Sequence, residues 1–503
     1  MPKIVTIAAA IGLAAVAFFY GTYAAGGSDS SCYALMAQSF ASGHLQPSSA
    51  LIAEVPWPDA QKTFTPGGFL PSQSHPTGFA PVCAPGFSVL LAPVVKFGGA
   101  NALFYVTPIA GAFLVWLTYL AGSALAGPVA GAMGAVLVAA SPAVLYQVVQ
   151  PMNDITTAAL WMAVFVGLIS RRFVVAGTCC GLALLVRPNL LPLAPVAALY
   201  ILRVDRRQVV PFALAVLGLN AGLYGGPLRS GYGAIDRLFG LSAVPTNVSQ
   251  YVRWLIETQT PFPLLAFAAP FILDRPRALD AWLAVALIAA TCFIYFLYKP
   301  FDDWSYLRFL LPAITLMLVL ASVVVVEVAR RMTENKPGAF VRQIAGPAAV
   351  SVFAIGLALF GVRTANARFA FTMHALEQRY RSAGRVVRDQ LPPNAVVLSV
   401  WDSGAVRFHG RKEALVWEGL DPAWFDRSVQ WLEAHGYKPY VLVESWEEAG
   451  FRARFGNSSD TGKLDWPPKY EIDRVVRIYD PQDRATYHRG GRVHTEYLWP
   501  LRP

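Results

Sequence analysis

The sequence predicts a mainly α-helical protein that crosses a membrane about eleven times, with interfacial helices in its first outer loop and a C-terminal soluble α/β domain. Of the 503 residues, 55% are hydrophobic and only 14% are charged, and the mean hydropathy is +0.44. This leaves too little polar surface to cover a soluble globule. No long apolar segment follows Arg363, so we predict a membrane domain over residues 1–363 and a soluble domain over residues 364–503.

The apolar segments that predict spans vary in length, and the short ones need flanking residues to cross a bilayer. They lie near 4–25, 100–124, 126–148, 154–170, 173–187, 189–203, 209–226, 262–273, 280–298, 307–327 and 344–363. Segment 85–97 could either cross the membrane or lie in the interface, and the positions of the cationic clusters decide between the two. If it lies in the interface, every cationic cluster between spans falls on the cytoplasmic side, whereas a twelfth crossing would put them all outside. The interfacial placement is therefore predicted, and it puts Asp29 and the C-terminal domain outside.

The formal net charge of +10 could indicate nucleic-acid binding, but the arginines fall in short clusters between the apolar segments. They are Arg171 with Arg172, Arg203 with Arg206 and Arg207, Arg275 with Arg277, and Arg330, Arg331, Lys336 and Arg342. Short clusters between apolar segments are typical of cytoplasmic anchors. No basic stripe with interleaved aromatic residues is present, so nucleic-acid binding is not expected.

Polar residues concentrate in the predicted outer segments 26–99, 150–154, 227–260 and 298–306, together with Arg187. The first of these begins GGSDSSCYALMAQSFASGHL (26–45), and its first charged residue is Asp29. A carboxylate placed a few residues beyond a membrane exit, at the start of an amphipathic helix, is a candidate catalytic group. The sequence therefore predicts a site at the outer membrane face.

Residues 364–503 alternate predicted helices and strands, which is typical of a small α/β domain. The predicted elements are a polar helix at 369–391, a strand at 395–400, a strand-like segment at 405–409, a helix at 422–436, a strand at 440–445, a short helix ending at Phe455 and a strand at 473–480. No pattern is clear after Pro481. No long internal repeat appears, which weakens a transporter built from repeated halves.

The five cysteines show no CxxC or Cys/His spacing of a zinc site. Cys179, Cys180 and Cys292 fall inside apolar spans and are expected to be small packing residues. Cys32 and Cys83 share an outer loop, where oxidation is permitted. These two either form a disulfide or remain two buried thiols.

Five segments, in this order, resemble a known family: 29–43 (DSSCYALMAQSFASG), 81–93 (PVCAPGFSVLLAP), 141–160 (SPAVLYQVVQPMNDITTAAL), 181–193 (GLALLVRPNLLPL) and 302–320 (DDWSYLRFLLPAITLMLVL). The family is the GT-C class of membrane glycosyltransferases, especially the branch that contains protein O-mannosyltransferases and the aminoarabinose transferases of lipid A. The segment WDSGAVRFHGR (401–411) also resembles a strand pair in the outer domains of related bacterial proteins.

The resemblance implies transfer of a sugar from a polyprenyl-phosphate carrier to an acceptor hydroxyl at the periplasmic face of a bacterial inner membrane. It implies that Asp29 is the general base, and the acceptor can be a lipid, a glycan or a protein. The family often has Asp-Glu where this chain has Asp29-Ser30. No cofactor is expected, and a divalent metal is not supported by the motif. Removal of the acceptor proton by a positioned base is worth roughly 10² to 10⁴ in rate.

The leaving phosphate would need a cation, and Arg187, Lys299 and Arg308 all lie at outer ends of predicted spans. Arg can hold two phosphate oxygens and Lys supplies a mobile point charge, although such residues also extend simply to lipid headgroups. Asp154 is expected to cap a helix, contact substrate or do both. Tyr33 completes the predicted substrate-binding set. The groove for the prenyl tail is expected near Arg187 and Arg308.

Other polar residues have structural explanations. Asp302 and Asp303 lack the spacing of a DxD metal motif and are expected to form a solvated turn or to pair with neighbouring cations. Asp402, Arg407 and His409 fall on the predicted strand, turn and strand of the outer domain and are expected to be structural.

Two other classes of function remain as alternatives. A transporter or flippase of a lipid-linked sugar predicts charges near helix centres, whereas the charges here fall mostly at span ends. A non-catalytic envelope protein that binds a partner through its outer domain would need far fewer spans. Within the transferase class, an oligosaccharide polymerase or ligase differs in its acceptor rather than in its fold.

Overall fold

The structure, a computed structural model, describes residues 1–201, 210–229, 231, 238–334 and 346–499. The predicted cationic cluster at 203–207 and the predicted anchors Lys336 and Arg342 lie outside these residues. The α-helices in chain order are α1 (Pro2–Phe19), α2 (Gly27–Ala41), α3 (Ala60–Phe64), α4 (Pro85–Gly98), α5 (Val106–Ala126), α6 (Pro128–Ala139), α7 (Pro142–Val148), α8 (Asn153–Ile169), α9 (Phe173–Val186), α10 (Leu193–Ile201), α11 (Val210–Tyr224), α12 (Val244–Gln259), α13 (Ala269–Ile272), α14 (Arg275–Leu297), α15 (Leu311–Glu334), α16 (Gly346–Ala367), α17 (Met373–Gln390), α18 (Ser403–Phe408), α19 (Phe425–Ala434), α20 (Glu448–Phe455) and α21 (Pro481–His488).

The strands are β1 (Phe69–Pro71), β2 (Phe79–Pro81), β3 (Ala395–Leu398), β4 (Glu413–Leu415), β5 (Lys438–Glu444), β6 (Tyr470–Ile472), β7 (Val476–Tyr479) and β8 (Glu496–Leu498). Strands β1 and β2 form an antiparallel hairpin in the first outer loop. The other six form one mixed sheet in the order β4-β3-β5-β7-β6-β8.

Within the described residues, five helices are long and apolar enough to cross a membrane. They are Pro2–Phe19, Ala100–Ala126, Arg275–Leu297, Trp304–Thr333 and Ala348–Ala367. Helices α6 and α7 together would make one more span, bent by 58° where Pro142 interrupts the helical hydrogen bonds. Shorter apolar helices lie at Pro85–Gly98, Asn153–Ile169, Phe173–Val186 and Phe262–Ile272. The protein is a multi-pass helical membrane protein, and the orientation of its spans stays a prediction.

The chain divides into two compact units that do not follow sequence order. The first unit comprises Met1–Gly21, Phe104–Leu217 and Gly233–Met373, and the second comprises Thr22–Leu103, Gly218–Tyr232 and His374–Pro503. The first outer loop therefore packs with the C-terminal region, a grouping that a simple division after residue 363 does not include.

The first unit is a helical bundle with an apolar interior. Its largest fully buried side chains include Trp161, Phe165 and Tyr295. Helices α5 and α6 approach so closely that a Cβ atom at Gly122 would lie 2.8 Å from Cα of Gly131. Small residues at such crossings allow backbone-to-backbone packing, which drives helix association in lipid.

The second unit contains the predicted α/β domain. Strand β3 pairs in parallel with both β4 and β5, and helices α18 and α19 lie in the connections that return the chain along the sheet. The prediction of a strand at 405–409 is wrong, because this segment belongs to α18. Two neighbouring parallel strands cannot be joined by a tight turn, so the chain between β3 and β4 must cross over, and it does so as a helix.

Candidate active site

Asp29 lies in the first turn of α2, and its side chain is exposed. Two glycines allow the chain to begin α2 in this conformation. A Cβ atom at Gly26 would lie 2.3 Å from Oε2 of Glu377, and Gly27 has a φ of +55°, which side chains other than glycine rarely adopt. The chain therefore enters α2 by a route that presents Asp29 to solvent at the positive end of the helix dipole.

The C-terminal region fixes this entry directly. Nε2 of His409 accepts a hydrogen bond from the Ala25 backbone N–H at 2.9 Å, and Oγ of Ser403 accepts one from the Gly67 N–H at 3.0 Å. Gly404 packs against Ser31 so closely that a Cβ atom there would lie 2.3 Å from Cβ of Ser31. Helix α18 is therefore packed onto the segment that carries Asp29.

Other residues of the first outer loop also hold α2 in place. Cys32 and Cys83 form a disulfide, so of the two states left open by the sequence the bonded one is found. Oγ of Ser88 donates to the Tyr33 carbonyl at 2.9 Å, and the Tyr33 ring contacts the Phe87 ring edge-on at 5.2 Å. The ring of Tyr33 is buried in this packing, and its predicted contact with substrate stays a prediction.

Burial sets the protonation of several groups around this helix start. It lowers the pKa of His409 to about 3, so the ring is neutral and Nε2 can accept from Ala25. Burial raises the pKa of Glu447 to about 7, and it raises the pKa of Glu377. It also raises the pKa of Asp402 far above the usual range, with the nearby Glu444 and Glu447 adding to the effect.

Burial therefore favours the neutral form of Asp402, and the structural role predicted for this residue stays a prediction. Asp29, in contrast, is exposed. The two carboxyl groups thus differ in burial, and the role of Asp29 in proton transfer stays a prediction.

In the first unit, Asp154 and Arg187 form an ion pair. Nη2 of Arg187 donates to Oδ1 of Asp154 at 2.6 Å, and both residues are buried. Asp154 is the second residue of α8 and Arg187 directly follows α9, and Nδ2 of Asn153 also donates to the Val186 carbonyl at 3.1 Å. The pair therefore joins the beginning of one helix to the end of its neighbour.

Arg308 belongs to the same group of side chains. The guanidinium carbons of Arg187 and Arg308 lie 5.4 Å and 5.3 Å from the centre of the Phe309 ring, and Tyr295 stacks on that ring at 5.0 Å. Two guanidinium groups therefore lie beside one aromatic surface. Such an arrangement can hold a phosphate, because arginine donates two hydrogen bonds in one plane.

The remaining sequence candidates are on the surface. Lys299 is exposed just after α14, and its backbone N–H donates to the Leu238 carbonyl at 2.8 Å. Asp302 and Asp303 are both exposed, and Oδ1 of Asp303 accepts from the Ser305 N–H at 2.8 Å. This is the solvated turn that the sequence predicted. Among the described residues, no group of three or more His, Cys, Asp or Glu side chains could hold a metal ion.

One polar contact was missed by the sequence analysis. Nδ2 of Asn189 donates to the Tyr295 hydroxyl at 3.1 Å, next to the Asp154–Arg187 pair in the packing around Phe309. Asn189 lies two residues after Arg187, at a helix break marked by Pro188. This break is the sequence signal that could have pointed to Asn189.

The fold is that of the GT-C class of membrane glycosyltransferases, as the resemblance predicted. Among solved structures, the chain is similar to ArnT from Cupriavidus metallidurans bound to undecaprenyl phosphate, with a TM-score of 0.58 and 15% identity over 95% of this chain and 97% of ArnT. It is also similar to the apo form of the Archaeoglobus fulgidus oligosaccharyltransferase, with a TM-score of 0.52 and 12% identity over 95% of this chain and 74% of that one. Comparisons with protein-family models and with curated protein sequences find no match. At these identities the likeness establishes the fold.

Proposed function

We propose that this protein is a glycosyltransferase that moves a sugar from a polyprenyl-phosphate donor to an acceptor hydroxyl at the periplasmic face of a bacterial inner membrane, with Asp29 as general base. The observation that carries the proposal is the exposed carboxylate on a braced helix start, in a chain with the fold of ArnT. The ArnT structure contains undecaprenyl phosphate, which supports a polyprenyl-phosphate donor here.

The proposed reaction is a direct displacement. The Asp29 carboxylate takes the proton of the acceptor hydroxyl while the acceptor oxygen attacks the anomeric carbon. The bond between that carbon and the phosphate oxygen breaks, and its electron pair leaves with the polyprenyl phosphate. One carboxylate is sufficient because the leaving phosphate needs no proton from the enzyme, and displacement on the opposite face inverts the anomeric configuration.

Arg187 and Arg308 are proposed to bind the donor phosphate. Arg187 is held in one orientation by Asp154, and both guanidinium groups flank the Phe309 ring. A preorganised cation stabilises the charge that develops on the departing phosphate at little reorganisation cost. Lys299 is proposed to contribute a mobile charge from its exposed position.

Asp154 has a second proposed role. Within the described part of the chain, its Oδ2 atom is buried and accepts no hydrogen bond. A substrate hydroxyl that donates to Oδ2 would satisfy this atom, and leaving it without a donor is costly. Asp154 would then both orient Arg187 and contact the donor, and Tyr33 is proposed as a further substrate contact.

The placement of charges favours a transferase over a transporter. Asp154 and Arg187 lie at helix ends, and so does the turn with Asp302 and Asp303. A substrate pathway through the bundle would be expected to place charges near helix centres.

The test compares Asp29→Asn with Asp59→Asn in a strain that lacks the native protein. Asp59 is a matched control because it is also an exposed aspartate in the same outer loop, and asparagine tolerates its φ of +54°. Asn keeps the shape of Asp but accepts no proton, so we expect Asp29→Asn to reduce transfer by roughly 10² to 10⁴. Mass spectrometry of envelope glycolipids and glycoproteins should show loss of one defined sugar at normal protein level. A normal sugar profile in Asp29→Asn, with an altered profile in the deletion strain, would refute the proposal.

A further inference from the structure

The second unit contains a cavity of about 330 Å³ that the reaction above does not use. Its walls come from the β3 entry (Pro393–Val396), the segment from α18 to β4 (Arg407, Arg411–Glu413), Tyr437, and the outer-loop residues Leu35 and Pro47. Pockets that bind small molecules typically have volumes of roughly 300–1,000 Å³, so this cavity suits a ligand of about one sugar unit.

The charge of the lining is strongly positive. Arg407, Arg411 and Lys412 contribute three cations and Glu413 one carboxylate, so the lining carries a net charge of +2. Arg411 is exposed and Lys412 is half-buried, and Arg411 has a φ of +52°.

Arg407 is the fixed element of the cavity. Its side chain is only 9% exposed, and Nη2 donates to Oε2 of Glu413 at 2.7 Å. Its guanidinium carbon lies 4.9 Å from the centre of the Phe79 ring. Its Nε atom is buried and makes no hydrogen bond to any residue that the structure describes. Nη2 also donates to the Phe64 carbonyl at 3.3 Å, so the guanidinium is fixed through Nη2. Nε is a buried donor without an acceptor among these residues, which is costly.

The rest of the lining suits a saccharide. Leu35, Pro47 and Pro393 supply apolar surface, and Tyr437 supplies an aromatic ring with a hydroxyl. Nδ2 of Asn394 donates to the Gly436 carbonyl, which leaves its Oδ1 atom as an acceptor for a ligand hydroxyl. Apolar surface with a few fixed polar groups is the usual lining of a small-molecule site.

We propose that this cavity binds an anionic sugar unit, bearing a phosphate or a carboxylate, of the acceptor substrate. The proposal rests on the proposed transferase function for the identity of the acceptor. Leu35 follows Asp29 by six residues on α2, a separation of about 9 Å along the helix axis. Asp29 is not part of the cavity lining, so an anion held there anchors a part of the acceptor other than the reacting hydroxyl. Loss of such a remote contact weakens the binding of substrate and transition state alike, which raises KM and leaves kcat unchanged.

The test is a calorimetric titration of the purified full-length protein with glucose 6-phosphate, glucuronate, glucose and inorganic phosphate. The variant combines Arg411→Gln with Lys412→Gln, which leaves the buried Arg407 in place. Its control combines Arg474→Gln with Arg492→Gln, two exposed arginines outside the cavity, so both proteins lose the same charge. Arg474 also matches Arg411 in having a positive φ, of +57°.

Wild type and control should bind glucose 6-phosphate or glucuronate more tightly than glucose, and the cavity variant should bind them at least about tenfold more weakly. Equal affinity of the cavity variant and wild type for the charged sugars would overturn the proposal. Inorganic phosphate that binds as tightly as glucose 6-phosphate would indicate a site for free phosphate and overturn the saccharide assignment.

Two further measurements separate this proposal from the proposed function. Binding is repeated in Asp29→Asn, where the charged sugars should bind as in wild type, so the binding result stands even if Asp29 proves dispensable. In transfer assays with envelope acceptor, the cavity variant should raise the acceptor KM with kcat unchanged. An unchanged acceptor KM would overturn the role in acceptor binding.

Discussion

The contact between Gly404 and Ser31 makes a quantitative prediction about the position of Asp29. A Cβ atom at Gly404 would lie 2.3 Å from Cβ of Ser31, whereas carbons in contact need about 3.5 Å, so Gly404→Ala must separate α18 from α2 by about 1.2 Å. Overpacking of this kind typically costs about 1–3 kcal/mol of unfolding free energy. Ser31 lies two residues after Asp29, and a misplacement of about 1 Å at a reacting group can cost about 10²-fold in rate.

The assay measures both the transfer rate and thermal unfolding of purified Gly404→Ala. Gly450→Ala is the matched control, because Gly450 also lies in a helix of the second unit and a Cβ atom there meets nothing within 4 Å. Adding Ser31→Gly to Gly404→Ala removes the clashing Cβ atom, so the double variant should recover most of the lost rate, a coupling that distant sites would not show. If Gly404→Ala retains the rate and stability of Gly450→Ala, the packing of α18 on α2 does not position Asp29.

Three further predictions concern buried polar groups. His409→Phe leaves the buried Ala25 N–H without an acceptor and should lower the unfolding free energy by about 1–3 kcal/mol, whereas His409→Gln, which keeps an acceptor, should lower it less in denaturant titration. The pKa of Glu447 is raised by burial from 4.5 to about 7, so its contribution to stability is complete below pH 4.5 and is lost as the pH rises through about 7. Unfolding midpoints measured against pH should therefore decline less over this window in Glu447→Gln. Asp154→Asn leaves the Arg187 charge buried without its counterion and should destabilise by about 3–5 kcal/mol in thermal unfolding, and adding Arg187→Gln should restore part of the loss.

Hydropathy predicted the helices of the membrane unit well, because an apolar segment in lipid has few alternatives to a helix. The strands at 395–400 and 440–445 were also predicted, since both are short β-branched segments that become β3 and β5. The segment 405–409 was assigned to a strand from its composition, but its conformation depends on the parallel pairing of β3 with β4, which local sequence does not contain.

The sequence at the start of the C-terminal tail contains a helix-start signal that could have predicted α21. Asp480 caps α21 by accepting from the Gln482 N–H at 3.1 Å, and Pro481 occupies the first helical position, which proline favours. Strand β8, in contrast, pairs in parallel with β6, some 26 residues earlier. That pairing depends on tertiary structure and had no local signal.

For the candidate site, the sequence indicated which residues to examine but not their partners. Asp29 was chosen for its place after the first span. The structure adds the contact of His409 with Ala25 and that of Gly404 with Ser31, which hold its helix in place. Arg187 and Asp154 were chosen separately for their positions at span ends. Their pairing across 33 residues required the packing of α8 against α9.

The account depends most directly on Asp29 acting through its carboxylate. The decisive measurement is the initial rate of sugar transfer by purified Asp29→Ala with and without added formate, compared with Asp59→Ala and with chloride at equal ionic strength. We expect Asp29→Ala to lose roughly 10² to 10⁴ in rate, to regain part of it with formate and none with chloride, and Asp59→Ala to behave as wild type. Transfer by Asp29→Ala at the wild-type rate would contradict the account.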